Sequence, residues 1–233
     1  MENILTKYAL EYNNKKYFEK DPIIFPTHFA QLYKEGKASL QDVEIAGILA
    51  AHLAWGRRDM IVRDCNRLFE EMKWQPLEYV INGNYKCDDC SLHRTIKWSE
   101  FATICANLKA FYKNRDSNFS LESLTPDRIR TEIFSQKSNP GAANKKIHMF
   151  RRWMVRNDGI VDLGLWKNIS PAELIIPLDV HVHRIAKEMG ITSRNSSDLS
   201  TAMEITEYLK VIFPEDPCKG DFALFGYGVS RNK

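Results

Sequence analysis

The chain turns and then enters a helix at residues 139–154, which read NPGAANKKIHMFRRWM. The Asn-Pro-Gly start predicts a tight turn, because proline restricts one φ and glycine permits a positive one. Apolar residues then recur at helical spacing, at Ile147, Phe150 and Met154, which places Lys145 in the first turn of the helix. A first turn carries unpaired backbone N–H groups and a partial positive charge, so it suits a phosphate.

A second helix start follows at residues 175–184, which read IIPLDVHVHR. Asp179 is predicted to cap this helix, and Gly190 is predicted to end it. An amine at one helix start and a carboxylate at another form a suitable pair for covalent chemistry on a sugar beside a phosphate. Asp162, between the two segments, is the second choice for a catalytic carboxylate.

These two segments resemble the helix-hairpin-helix (HhH-GPD) superfamily of DNA glycosylases. Members carry a Pro-Gly-x-Gly-x-Lys hairpin and then an Asp-x-His-hydrophobic-x-Arg segment; the similar stretches here are Pro140-Gly141-x-x-x-Lys145 and Leu178-Asp179-Val180-His181-Val182-x-Arg184. Ala143 stands where the hairpin usually has its second glycine, and the motif region spans residues 134–190. The whole chain also resembles a bacterial family of conserved hypothetical proteins, and that resemblance implies no activity.

The superfamily resemblance implies an all-α fold of two helical lobes with a cleft, and a glycosylase with AP lyase activity on damaged double-stranded DNA. It implies that Lys145 is the nucleophile and that Asp179 is the catalytic acid. The DNA-contacting residues are expected to be Gly141, Ala143, Lys146, Arg151, His183, Arg184 and Arg57. The candidates for the base pocket are His52, Trp55, Trp153, Trp166, Phe222 and Phe225, although each aromatic residue is more commonly a core residue.

Composition fits a soluble globular protein of one all-helical domain over residues 1–233, or of two lobes. Hydrophobic residues make up 44% and charged residues 27% of the 233 residues. No apolar run approaches the roughly 18 residues of a membrane span, and no basic-then-apolar signal opens the chain. A cytoplasmic monomer without a cofactor or membrane partner is therefore expected. The net charge of +3 neither establishes nor excludes nucleic acid, since a local basic face matters more.

The five cysteines, an odd number, argue against a disulfide framework. Cys87 and Cys90 have metal-ligand spacing, and His93 follows, but a zinc or iron–sulfur site normally needs a second pair of ligands. The remaining cysteines, Cys65, Cys105 and Cys218, are scattered. A surface loop without metal is the expected state of this segment.

Hydrophobic periodicity predicts helices along most of the chain, joined by short turns. Helices are expected over residues 39–52, 60–72, 99–113, 179–189 and 196–213, and from the first turn at Lys145 to Met154. A helix is also expected within residues 1–16, ending near Asn13-Asn14, and a short one from Phe29 that Gly36 closes. Shorter pieces are expected over 120–134 and 170–173. Residues 21–26 are predicted to be extended, 75–93 irregular, 114–118 a turn, 221–228 a compact apolar segment and 229–233 a frayed tail. Ser39 with Asp42 and Ser170 with Glu173 are predicted capping boxes.

Two other functions fit the same residues. A metal-dependent hydrolase would use Asp179, His181, His183 and His52, but a helix start turns alternate side chains apart. A non-catalytic helix-hairpin-helix protein would bind DNA through the same hairpin and have no chemistry. For Lys145 and Arg151 a solvated helix face remains the simplest alternative.

Overall fold

The computed structural model describes residues 2–113 and 119–231, with side chains from 4 to 113 and from 119 to 230. Its α-helices are α1 (Glu2–Tyr12), α2 (Ile24–Lys34), α3 (Leu40–Leu53), α4 (Arg58–Glu71), α5 (Pro76–Asn82), α6 (Trp98–Tyr112), α7 (Pro126–Arg128, continued by a π turn over Ile129–Ile133), α8 (Lys145–Val155), α9 (Val180–Glu188), α10 (Leu199–Ile212) and α11 (Lys219–Arg231). Short 3₁₀ turns lie at Lys15–Tyr17, Leu121–Ser123 and Pro171–Glu173. The predicted all-α class is confirmed.

The sheet in the described part of the chain is a two-stranded antiparallel ribbon of β1 (Ser91–His93) and β2 (Ile96–Lys97). The predicted turn at residues 114–118 lies outside the described residues. No helix within the ranges described is long and apolar enough to cross a membrane.

The chain divides into two compact units. The terminal unit consists of Met1–Glu19 and Asn139–Lys233, and the central unit is the continuous segment Lys20–Ser138. The predicted cleft between two lobes stays a prediction.

In the terminal unit, α11 is the central helix, because α1 and α9 both pack against it. Gly226 allows α1 to approach closely, since a Cβ atom there would overlap the ring of Tyr12. Gly228 faces Ile185 of α9, which a Cβ atom would meet at 3.4 Å. The buried face of α8 contributes Phe150 and Trp153 to the core of this unit.

In the central unit, α3 is apolar on nearly all sides and packs against α2, α4 and α5. Its predicted capping box is confirmed: Ser39 N donates to Asp42 Oδ2 at 2.8 Å, and Asp42 N donates to Ser39 Oγ at 3.2 Å. Glu44, fully buried on α3, accepts hydrogen bonds from Tyr112 Oη at 2.8 Å and Leu121 N at 3.2 Å. This carboxylate therefore ties α6 and the following loop to α3.

Four predictions about elements are wrong. Residues 21–26 are not extended, because α2 begins at Ile24 and holds Pro26 in its first turn, where a missing N–H costs no helical bond. The irregular stretch 75–93 contains α5, which has Pro76 at its first position and ends at Gly83 with φ 83°. The expected tail is helical as far as residue 231, and Lys97 rather than Ser99 is the N-cap of α6.

Candidate active site

Lys145 is the first residue of α8, as predicted, and its side chain is partly exposed. The chain enters this helix through Asn144, which has left-handed φ and ψ of 44° and 41°. Asn144 O then accepts hydrogen bonds from Ile147 N at 2.9 Å and His148 N at 3.0 Å. The amine of Lys145 consequently projects from the N-terminal end of a helix that is anchored by its buried face.

The turn before α8 differs from its predicted geometry. Gly141 is not in the positive-φ region; Asn144 takes that conformation instead. Gly141 N donates to Asn139 Oδ1 at 3.2 Å, and Ala142 N donates to Asn139 O at 3.0 Å. Leu199 N, at the start of α10, donates to Gly141 O at 2.9 Å. Gly141 N and Ala142 N are therefore both bonded to Asn139, so a phosphate would have to be met by the chain from Ala143 onward.

Asp179 is the N-cap of α9, as predicted. Its Oδ1 accepts hydrogen bonds from His181 N and Val182 N, each at 2.9 Å. Its Oδ2 accepts no hydrogen bond from the described residues, and the side chain is partly exposed. One oxygen of this carboxylate thus holds the helix start while the other can face a ligand.

Asp221, in the first turn of α11, is affected by the charges of both Lys145 and Asp179. The sequence patterns did not identify it as a site residue. Its side chain is 12% exposed, and Oδ2 accepts a hydrogen bond from Arg152 Nη1 at 2.6 Å. Burial raises the pKa of Asp221, Arg152 opposes that shift, and the charge of Asp179 raises the pKa while that of Lys145 lowers it. Lys145 and Asp179 therefore lie within electrostatic range of one buried acid. The sequence signal for Asp221 is a single carboxylate opening an otherwise apolar run.

A buried ion network lies under this group. Arg156 is 1% exposed and donates to Asp162, to Asp158 at 3.0 Å and to Asp216 at 2.9 Å. The guanidinium groups of Arg152 and Arg156 each lie 4.8 Å from the centre of the Phe222 ring. Asp162 is buried and paired with both arginines, so its role is to neutralise buried charge and not to act on a substrate.

The aromatic residues proposed for a base pocket in the terminal unit separate into two groups. Trp153, Trp166 and Phe222 are at most 2% exposed, so they are core residues and present no face to a base. Phe225 is partly exposed, and its ring meets the edges of Tyr12 at 5.9 Å and Tyr17 at 6.4 Å. Of the four, Phe225 alone keeps accessible surface.

The candidates on the central unit have partners of their own. His52 is buried, lies 3.1 Å from Glu100 Oε1 through Nε2, and stacks on Phe134. The Trp55 ring lies 4.1 Å under the guanidinium of Arg94. Arg57 is exposed and pairs with Asp59 at 2.6 Å. His52 is thus part of the core of this unit, whereas Trp55 and Arg57 keep exposed surface.

The basic candidates of the terminal unit are not equally available. Lys146 and Arg151 are partly exposed on α8. Arg184 pairs with Glu188 one turn away at 2.5 Å, and His183 Nε2 lies 3.0 Å from Arg194 O. Lys146 and Arg151 share a helix with Lys145.

The candidate metal ligands Asp179, His181, His183 and His52 do not form a metal site in the described residues. Within residues 2–113 and 119–231, no group of three or more His, Cys, Asp and Glu side chains could hold a metal ion. His183 is bonded to a backbone carbonyl and His52 to a carboxylate of the central unit. Cys87 and Cys90 are free and exposed.

Comparison with known proteins gives a family and nothing finer. No curated protein and no solved structure matches the chain. A family model matches residues 21–132 and 117–230, which together cover most of the sequence. This agrees with the expected likeness to a family of uncharacterised proteins. The chain belongs to the family described as protein of unknown function (DUF2400).

Proposed function

We propose that this protein is a DNA base-excision enzyme, a glycosylase with AP lyase activity, in which Lys145 is the nucleophile and Asp179 stabilises the reacting sugar. The supporting observation is that Lys145 and Asp179 both act on the pKa of the buried Asp221 carboxyl. Two charged groups from separate helix starts therefore lie within electrostatic range of the same buried carboxyl. The order of turn, amine and capping acid is also the order that the superfamily resemblance implies.

The proposed chemistry is attack at the sugar of a damaged nucleotide. The bond between C1′ and the base breaks as the neutral amine of Lys145 forms a bond to C1′, and the base leaves with the electron pair. Cationic character develops at the sugar in this step, and the unbonded Oδ2 of Asp179 stabilises it electrostatically. The attached nitrogen then loses a proton and its electron pair opens the ring by breaking the C1′–O4′ bond, which gives a Schiff base and a 4′-hydroxyl. Loss of a C2′ proton with departure of the 3′ phosphate cleaves the strand.

The DNA backbone would be held at the start of α8. The backbone from Ala143 to Lys146 precedes or opens the helix, and Lys146 and Arg151 supply positive charge on the same helix. Burying a negative phosphate beside these groups releases counterions, so affinity should fall steeply with salt. The target base must leave the stack, which costs roughly a few kcal/mol. Of the four aromatic candidates in the terminal unit, Phe225 keeps accessible surface and is proposed to receive the base.

The test is borohydride trapping on a panel of damaged duplexes. Reduction of the Schiff base should leave a covalent enzyme–DNA adduct, and Lys145→Gln should abolish it. Lys146→Gln is the matched control, because the next helical position points about 100° away around the axis. If Lys146→Gln abolishes trapping and Lys145→Gln does not, the nucleophile has been assigned to the wrong residue.

Asp179→Asn separates the two roles of this side chain. Asparagine is as good an N-cap as aspartate, so folding and DNA binding should be retained. Base excision should slow by about 10²-fold or more, the scale expected for the loss of a preorganised charge. Single-turnover release of the base measures it; an unchanged rate would remove Asp179 from the mechanism.

The second candidate is a DNA-binding protein without chemistry. The turn of residues 139–142 is braced against α10 by the Leu199–Gly141 hydrogen bond, which would hold the chain from Ala143 onward in place for a phosphate whether or not Lys145 reacts. Salt-dependent duplex binding combined with a complete absence of trapping across the panel would favour this function.

A further inference from the structure

Two of the five cysteines differ from the others in accessibility. Cys87 and Cys90 are exposed, whereas Cys65, Cys105 and Cys218 are buried. Burial raises the pKa of each of the three buried thiols. Since the thiolate is the reactive form of cysteine, oxidants and alkylating agents should meet only the exposed pair in the folded protein.

The exposed pair lies on a backbone segment that is held in place. Asp88 O accepts a hydrogen bond from Ser99 N at 2.9 Å, and Cys90 O accepts one from Trp98 N at 3.1 Å, so the segment runs along the start of α6. Cys90 N donates to Asp88 Oδ1 at 2.9 Å, which bends the chain between the two cysteines. The two thiols are therefore carried by one short, fixed bend with two residues between them.

This spacing is that of the Cys-x-x-Cys motif, in which neighbouring thiols exchange readily with disulfides. We propose that Cys87 and Cys90 form a redox-active dithiol, a modification site separate from the proposed excision chemistry, which closes to a disulfide on reaction with small-molecule disulfides.

The proposed step is a pair of thiol–disulfide exchanges. One cysteine, as its thiolate, attacks a sulfur of the small disulfide; a mixed disulfide forms and one small thiolate leaves. The second cysteine then attacks the protein sulfur of that mixed disulfide, forming the Cys87–Cys90 bond and releasing the second small thiolate. The two protein thiols are oxidised, the small disulfide is reduced to two thiols, and the two protons pass to solvent or to the leaving thiolates.

The experiment equilibrates the full, reduced chain with mixtures of reduced and oxidised glutathione and then alkylates the remaining thiols with N-ethylmaleimide. Peptide mass spectrometry should show that Cys87 and Cys90 lose alkylation together as the mixture becomes more oxidising. The peptide that carries them should lose two hydrogen atoms. Cys65, Cys105 and Cys218 should stay unmodified until the protein is denatured.

Cys87→Ser and Cys90→Ser are matched controls on the same exposed segment. Each should retain native helix content and form only a mixed disulfide with glutathione at the remaining cysteine. The proposal is overturned if wild type also stops at mixed disulfides, or if both thiols stay separately alkylated across the whole range.

Discussion

At the scale of single residues, Arg156 is a buried charge whose replacement is expected to destabilise the fold. Its guanidinium is almost completely buried, where an unpaired charge is strongly unfavourable, and it is paired with Asp158, Asp162 and Asp216. Asp162 is itself 6% exposed, so it also depends on the pairing. The network lies in the terminal unit beside Arg152, whose partner Asp221 belongs to the candidate site.

Arg156→Met should therefore lower the free energy of unfolding by about 3–5 kcal/mol, because it leaves buried carboxylates short of a positive charge. Arg184→Met is the matched control, since that ion pair with Glu188 is half exposed and should contribute at most about 1 kcal/mol. Urea unfolding followed by circular dichroism measures both variants. Equal losses in the two would mean that the buried network contributes no more than a surface pair.

His148 predicts a pH dependence of stability. Burial lowers its pKa to about 4, with a further contribution from the charge of Arg151, whereas an unfolded histidine titrates near 6.5. Below pH 6.5 the unfolded chain takes up a proton that the folded protein does not, so stability should be lost between pH 6.5 and 4, by at most about 3 kcal/mol.

His148→Leu removes that titration while retaining a side chain that can be buried. The unfolding free energy of the variant should decline less than that of wild type when the pH is lowered from 7 to about 4.5. Carboxylates that titrate in the same range are common to both proteins and cancel in the difference. Parallel declines would show that His148 takes up its proton without unfolding.

At the scale of elements, the packing of α1 on α11 depends on a missing side chain at Gly226. A Cβ atom there would overlap the Tyr12 ring. Gly226→Ala should lower the free energy of unfolding by about 1–3 kcal/mol through overpacking. Gly141→Ala is the control: its Cβ atom would have its nearest contact, Asn139 Oδ1, at 3.7 Å, and the change should stay within about 0.5 kcal/mol. Comparable urea midpoints would argue against the close approach.

Three side-chain caps of helices are predictable from the sequence, because their signals are local. Ser39 with Asp42, Ser170 with Glu173 and Asp179 all cap as the sequence predicts, since each side chain bonds to backbone within three residues of itself. The errors at residues 21–26 and 75–93 have one cause. Proline breaks a helix in its interior but is tolerated in the first turn, where Pro26 and Pro76 stand.

At the scale of the whole molecule, contacts between residues far apart in the sequence could not be predicted. The Arg152–Asp221 pair joins residues 69 apart, and the Asn13–Asp158 hydrogen bond joins residues 145 apart. Neither pair has a sequence pattern, so the buried network and the place of Asp221 in the site were not predicted. The motif residues Lys145 and Asp179 were predictable because each stands at a locally encoded helix start.

The division of the chain predicts which part can fold alone. The central unit is one continuous segment, Lys20–Ser138, and two of its buried acids are paired inside it. Glu44 bonds to Tyr112, and His93 Nδ1 lies 2.7 Å from Asp64 Oδ2. Residues 20–138 expressed alone should therefore be helical and unfold cooperatively in urea.

The terminal unit makes the opposite prediction, because its two parts are separate in sequence. Residues 139–233 without residues 1–19 leave α11 without α1, so the Tyr12 side of Gly226 becomes exposed and Asp158 loses its hydrogen bond from Asn13. This fragment should unfold at lower urea than the same unit in the full chain. Adding residues 1–19 back through a short Gly/Ser linker should restore much of the loss. A cooperative 139–233 fragment beside a disordered 20–138 fragment would show that the boundary of the two units has been placed wrongly.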